Sequence, residues 1–181
     1  MTGKSTLRRT LSAGAAATAA MVVLFPQAAQ AGGIDPIVVD PYEPVVVNDR
    51  FVMGLLPEGE QNYVVSTPED FAEDIEAAKD YPGSTILPNS VATGLYGEDD
   101  VIVLVEGVWR LDEGVPQIVV APEGDPLSYG AQTVTLRNED GWGTFYFDPS
   151  AWEAVATDTY TITAYDTDGE VFSEYEVSLS H

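Results

Sequence analysis

Apolar and polar side chains alternate with a period of two through the C-terminal third of the chain, and this pattern restricts the fold more than any other feature. Residues 159–165 place Tyr, Ile and Ala between threonines, and residues 171–179 continue the alternation. Asn-Glu-Asp-Gly at 138–141 and Asp-Thr-Asp-Gly at 166–169 have the composition of tight hairpin turns. The pattern predicts a half-buried antiparallel sheet.

Two elements are predicted further upstream. The unbroken apolar run from Val101 to Val105 indicates a strand that is buried on both faces. A helix is predicted over about 68–80, because Thr67 can cap it, Pro68 suits its first turn and Pro82 follows its end. Its apolar stripe consists of Phe71, Ile75 and Ala78.

The first 31 residues have the pattern of a secretory leader. Basic residues at 4, 8 and 9 precede an alanine-rich apolar stretch, and Ala29-Gln30-Ala31 supplies the small residues of a cleavage site. We expect cleavage after Ala31, by the general secretory route rather than the twin-arginine route, because Leu7 stands where the latter prefers Ser or Thr. No later apolar run is long enough to span a membrane, so we expect release outside the cell and no membrane partner.

The chain beyond residue 31 is strongly acidic. All 30 acidic residues but only four of the seven basic ones lie there, so its formal charge is −26. Because nucleic acids and anionic lipids are bound through Lys and Arg, neither is an expected partner. An acidic surface serves solubility, tolerance of high salt or cation binding, and composition alone leaves these three open.

The residues after the leader divide into three predicted parts. Residues 32–50 form a Pro/Val-rich arm or edge strands, and residues 51–99 form a helix-containing segment packed on the sheet. Residues 158–179, with a Thr/Tyr strand, the Asp-Thr-Asp-Gly turn and a last strand, resemble the final hairpin of bacterial immunoglobulin-like extracellular modules. The resemblance implies an antiparallel immunoglobulin-like sandwich over 100–181, with Tyr160 as the corner tyrosine. The fold class is therefore mainly β with one helix.

Calcium is the one cofactor that the sequence suggests, at two acidic loops. With Gly169 at position 6 of an EF-hand loop, Asp166 and Asp168 occupy positions 3 and 5, but positions 1 and 12 lack oxygen ligands. The alternative, a plain hairpin corner, accounts for the same residues. The candidate metal ligands of the two loops are Asp166, Asp168, Glu170, Glu98, Asp99 and Asp100.

Aromatic residues suggest a binding surface. Trp142 and Tyr146 share one face of a predicted strand, and Phe145 and Phe147 share the other. With the phenylalanines in the core, an outward Trp142–Tyr146 strip would stack on sugar rings; the alternative puts Trp142 in the core. Trp109 and Trp152 are predicted to pack in the core or at an edge.

An enzyme is not expected from this sequence. It has no cysteine, and its single histidine is the last residue, which disfavours thiol, Ser–His–Asp and zinc chemistry. We predict no catalytic residues and a secreted, non-catalytic module that binds an extracellular protein or glycan. The alternatives are a calcium-stabilised structural module and a carboxylate-based glycoside hydrolase.

Overall fold

The computed structural model describes residues 8–12, 34–83 and 85–179, so His181 lies outside the described residues. The described chain is mainly β, with one α-helix, α1, and one short 3₁₀ helix, Pro149–Trp152. The strands and α1 are, in chain order, β1 Arg8–Ser12, β2 Ile37–Val39, β3 Val45–Val46, β4 Val52–Leu56, β5 Asn62–Ser66, α1 Phe71–Ala78, β6 Ser90–Glu98, β7 Val101–Arg110, β8 Gln117–Pro122, β9 Tyr129–Gly130, β10 Gln132–Leu136, β11 Trp142–Phe147, β12 Thr159–Tyr165 and β13 Val171–Ser178.

The strands form three sheets. The six-stranded sheet has the order β1-β6-β7-β11-β10-β2, the four-stranded sheet β13-β12-β8-β9, and the three-stranded sheet β3-β4-β5. The pairs are antiparallel except for β2 beside β10. The mainly-β fold with one helix is confirmed, and so are the hairpin turns, with Asn138 and Gly169 at positive φ.

The six-stranded sheet lies between the other two. On one face it packs against the four-stranded sheet, around Phe145, Phe147 and Trp109, which are almost fully buried. On its other face, Val134 and Leu136 pack against Met53 and other residues of the three-stranded sheet. Because both faces are covered, the central strand β7 is apolar throughout its first half, as its unbroken apolar run predicted.

The helix α1 covers the outer face of the three-stranded sheet. Phe71 and Ile75 lie against Gly54 of β4, where a Cβ atom would overlap the Phe71 ring. The helix begins three residues later than predicted, because Thr67 Oγ1 accepts the Asp70 N–H at 3.2 Å and holds 68–70 as a turn. It is too short to cross a membrane, and none of the described helices is long and apolar enough to do so.

A glutamate lies inside the sandwich. Glu106 of β7 is fully buried between the six-stranded and three-stranded sheets, and its Oε2 accepts a hydrogen bond from Tyr63 Oη at 2.6 Å. The carboxylate lies over Gly94 of β6, which is opposite Glu106 in the β6–β7 pairing, and a Cβ atom at Gly94 would overlap Oε1. Gly94 therefore makes the space that lets an acidic side chain enter this layer.

Part of the predicted leader forms the outermost strand of the six-stranded sheet. Residues 8–12 pair with β6 as β1, in an antiparallel register that sets Arg8 opposite Gly97 and Ser12 opposite Thr93. The proline-rich arm contributes two short edge strands, β2 and β3, one to each of the two neighbouring sheets.

Candidate functional site

An apolar groove of about 410 Å³ opens where the edges of the two large sheets meet. Its walls come from the start of β8, from the short strand β9, from Thr133 of β10, from residues 34 and 36 of the arm and from Trp152 of the 3₁₀ helix. None of its lining side chains is charged, and the polar ones are neutral: Gln117, Ser128, Tyr129 and Thr133. An uncharged groove of this volume is within the usual range of small-ligand sites.

Two aromatic rings form one wall of the groove. Trp152 is 51% exposed, and its ring lies 6.0 Å from that of Tyr129, centroid to centroid, at an angle of 52°. Tyr129 in turn contacts Phe147 of the core, with the ring centroids 5.5 Å apart. The exposed Trp152 ring is therefore held in place by Tyr129, which itself packs on a ring of the buried core.

Asp125 fixes the loops that carry these rings. Its Oδ2 accepts hydrogen bonds from Tyr129 Oη at 2.9 Å and from the Val155 N–H at 3.1 Å, and its Oδ1 accepts the Leu127 N–H at 2.9 Å. The hydrogen bonds from the two backbone N–H groups lower the pKa of Asp125, with a smaller lowering from Tyr129. The carboxylate thus connects the loop before β9 with the segment after the 3₁₀ helix.

Tyr160 lies in the core near this loop. Burial, followed by the charge of Asp125, raises the pKa of Tyr160 to about 12. Its ring meets Phe147 edge-on at 6.2 Å, and its hydroxyl is buried with no hydrogen-bond partner among the residues that the structure describes. The corner hydrogen bond that the immunoglobulin resemblance implied for Tyr160 is therefore not formed by the described residues.

The two acidic loops predicted to bind calcium lie at opposite ends of the sandwich. The turn with Asp99 and Asp100 joins β6 to the start of β7, whereas Thr167 of the other loop lies against Gly114, beyond the end of β7. The ten-residue β7 is roughly 30 Å long at about 3.3 Å per residue. The loops therefore do not share an ion, and no cluster of three or more metal-ligating side chains is found in the described ranges.

The conformation of each acidic loop is explained without a bound ion. Asp166 Oδ1 accepts the N–H groups of Asp168 and Glu170, each at 2.9 Å, so this carboxylate closes the β12–β13 turn. Glu98 forms an ion pair with Arg50 at 2.8 Å. Asp99 and Asp100 both have positive φ, as the two central residues of a type I′ hairpin turn do.

The predicted sugar-binding strip of β11 faces the inside of the molecule, so the alternative prediction, with Trp142 in the core, describes its position better. Trp142 and Tyr146 are half-buried and pack against the cluster between the six-stranded and three-stranded sheets. Burial raises the pKa of Tyr146. The three-stranded sheet covers this face, and the sequence contained no signal that a further sheet would pack there.

A second cavity of about 270 Å³ is lined by the carboxyl-bearing residues Asp148 and Glu153, together with Arg50. Asp148 is buried and structural. Its Oδ2 accepts Asn48 Nδ2 at 2.8 Å, and its Oδ1 accepts the N–H and hydroxyl of Ser150, so it caps the 3₁₀ helix. Because both oxygens of Asp148 are engaged in this way, the cavity offers no evident acid–base pair.

Sequence reasoning missed the groove. Trp109 is in the core and Trp152 packs at an edge, as predicted, but Trp152 was not expected to line a groove, and Tyr129 and Asp125 were not singled out. The groove residues lie in loops and in a two-residue strand, where periodicity carries no information. A tryptophan inside the short Pro-Ser-Ala-Trp segment between two strands was the one available signal.

Comparisons with protein-family models, with curated proteins and with solved structures find no match to this chain.

Proposed function

We propose that this chain is a secreted, non-catalytic binding module, and that its ligand is a neutral carbohydrate held in the groove beside Trp152. The observation that carries the proposal is a half-exposed tryptophan, braced by Tyr129, on an uncharged groove in a chain whose net charge is −23. An aromatic platform in a concave site is a common anchor for small ligands.

The chemistry of the lining favours a sugar over other ligands. The C–H face of a sugar ring suits a flat aromatic side chain, and its hydroxyls suit the neutral groups of Gln117, Ser128 and Thr133. The negative field of the protein disfavours an anionic ligand. A cationic ligand would find no carboxylate among the groove's lining residues.

The fold supports a binding role. The strand orders β6-β7-β11-β10 and β13-β12-β8-β9 correspond to A-B-E-D and G-F-C-C′ of an immunoglobulin-like sandwich, with Tyr160 near the start of the strand in the F position. We propose that residues 90–178 form such a sandwich, with β9 as the C′ strand that borders the groove. This range begins earlier than the sequence resemblance suggested, because β6 occupies the A position.

Secretion is the third part of the proposal, and it rests on the leader pattern of residues 1–31. Expression of the whole chain in a secreting bacterial host is expected to deliver protein to the medium with Gly32 at its N-terminus, as read by N-terminal sequencing. Retention in cells with Met1 intact would contradict this part and leave the groove unaffected.

The binding claim is tested with the protein recovered from that expression. Calorimetric titration with short neutral oligosaccharides of glucose, galactose, mannose and N-acetylglucosamine is expected to find at least one saturable ligand. Trp152→Ala should weaken it about tenfold or more, because an aromatic anchor contributes about 1–2 kcal/mol or more. The matched control is Tyr81→Ala, which removes a similarly exposed aromatic ring that does not line the groove.

Two results would overturn the binding proposal. One is the absence of saturable binding to any of these sugars. The other is equal weakening of a bound sugar by Trp152→Ala and Tyr81→Ala, which would place the ligand elsewhere.

A further inference from the structure

The outer edge of β6 is built to accept a strand. In the described structure its partner is β1, residues 8–12, which lie within the segment that the proposed secretion would remove. Without β1, the outward backbone N–H and C=O groups of residues 93–97 lose their partners. An edge of this kind is a template for an added strand.

When β1 is absent, the protection of this edge by β6 is limited to a register irregularity between Tyr96 and Gly97 and to the charge of Glu98 at its end. Its nine residues contain no proline and no lysine, the residues with which exposed edges are commonly blocked. The edge strand of the four-stranded sheet, β13, is different. It presents two acidic side chains, Glu174 and Glu176, on its exposed face. The β6 edge is therefore the one of these two that is suited to pairing.

The edge strand is also held firmly in place. Thr93 Oγ1 and Tyr175 Oη of β13 are 2.6 Å apart, and the Leu179 side chain lies against Gly97. On the other side, β6 pairs with β7 along its whole length. A fixed acceptor strand loses little conformational freedom when it binds, which favours association.

Charge indicates the kind of strand that fits. The Gly97 end of the β6 edge is followed by Glu98, Asp99 and Asp100, and the register sets Arg8 opposite Gly97. A second copy of the chain is a poor occupant, because two molecules of this net charge repel each other. A basic segment is attracted by the same field.

We propose that the β6 edge is a strand-acceptor site, which residues 8–12 fill in the intact chain and which, after loss of the leader, takes an extended basic segment of another protein. The bound segment would run antiparallel to β6, with basic residues at the Gly97 end and small or aliphatic residues beyond. Its backbone hydrogen bonds would give affinity, and its charge would give orientation. The biological role rests on the proposed secretion, whereas the acceptor site itself does not.

The test uses the full chain, so that it is independent of leader cleavage. Thr10→Pro breaks β1 at its centre, since proline lacks the N–H and is not tolerated inside a paired strand. Hydrogen exchange measured by NMR should become about tenfold faster or more at the outward amides of residues 93–97. The indole N–H signal of the buried Trp109 should keep its wild-type position in the same NMR spectra, which shows that the core is intact.

A synthetic peptide of residues 5–15 then supplies the strand in trans. The peptide should restore protection from hydrogen exchange at residues 93–97 of the Thr10→Pro chain. Raising the salt from about 50 to about 500 mM should weaken the binding of the peptide severalfold. The control peptides carry either the same Thr10→Pro change, which should abolish binding, or Arg8→Glu with Arg9→Glu, which should weaken it about tenfold or more.

Three results would overturn the proposal. Unchanged exchange in the Thr10→Pro chain would show that residues 8–12 do not cover the edge. Equal binding by the basic and acidic peptides would reject the basic partner. Concentration-dependent protection without any peptide would show that a second copy fills the edge instead.

Discussion

At the scale of single residues, the groove depends on one carboxylate. Asp125 connects the Tyr129 hydroxyl with two backbone N–H groups, so it sets the distance between the aromatic wall and the loop before β9. Sequence patterns do not identify such a residue, because its role arises only when two loops distant in sequence meet.

Protonation of Asp125 should loosen the groove. Its pKa is lowered in the folded state, so its contribution to loop order is complete above the ordinary aspartate pKa of 3.8 and is lost as the pH falls below that value. Affinity for the ligand should therefore be level from pH 7 down to about pH 4 and fall only below the ordinary aspartate pKa of 3.8. Asp125→Ala should show the weak affinity at every pH.

The measurement is calorimetric titration across this range. Asp99→Asn serves as the control, since that exposed carboxyl lies in the β6–β7 turn, at the opposite end of the sandwich from residues 115–118 of the groove. Wild-type affinity in Asp125→Ala at pH 7 would contradict the positioning role.

Tyr160 tests the immunoglobulin resemblance at the residue level. Its buried hydroxyl has no partner among the described residues, so Tyr160→Phe should change the free energy of unfolding by less than about 0.5 kcal/mol, or raise it. A corner hydrogen bond to the backbone would instead make the substitution cost about 1–3 kcal/mol. Urea unfolding followed by tryptophan fluorescence separates the two outcomes.

Among the helices and strands, sequence patterns predicted those elements whose formation depends on local alternation or helical spacing of apolar residues. The alternation in 159–165 and 171–178 gave β12 and β13, and the apolar run gave the central strand β7. The helix was found because Phe71 and Ile75 repeat at helical spacing, although its start was misplaced by a side-chain-capped turn.

Elements whose role depends on tertiary packing were not predictable in the same way. Trp142 and Tyr146 lie on a strand face that alternation cannot assign to solvent or to a second core. The three-stranded sheet decides this, and β3 and β5 carry no signal of where they pack. Trp152 is exposed for a related reason, since a one-turn helix has no periodic face.

The β12–β13 turn should not need calcium. Asp166 already accepts two N–H groups, so Asp166→Ala should lower stability by about 1 kcal/mol, which corresponds to a fall of about 2–4 °C in Tm. Calcium and sodium salts at equal ionic strength should raise the wild-type Tm equally, by screening repulsion.

Thermal unfolding with EDTA, calcium and magnesium measures both effects. A saturable rise with calcium alone, worth about 2.7 kcal/mol at 100 times the dissociation constant, would support the calcium-stabilised module instead. Loss of that rise in Asp166→Ala would place the ion in this turn.

In the whole molecule, the packing of the three sheets and the helix determines where a groove stays open. The three-stranded sheet and α1 cover one face of the central sheet, so the open edge beside β9 is where an apolar groove remains. The chain carries a net charge of −23, yet none of the side chains that line the groove is charged, so the site itself is neutral.

One NMR titration distinguishes a neutral sugar bound in the groove at Trp152 from a sugar bound elsewhere. The three tryptophans give separate indole N–H signals: Trp109 is buried, Trp142 is half-buried and Trp152 is exposed. Addition of the oligosaccharide should move the Trp152 signal together with the amides of Tyr129 and Gly130, and leave Trp109 and Trp142 in place. If the Trp142 signal moves while Trp152 stays unchanged, or if none of the three indole signals moves, the groove is not the sugar site.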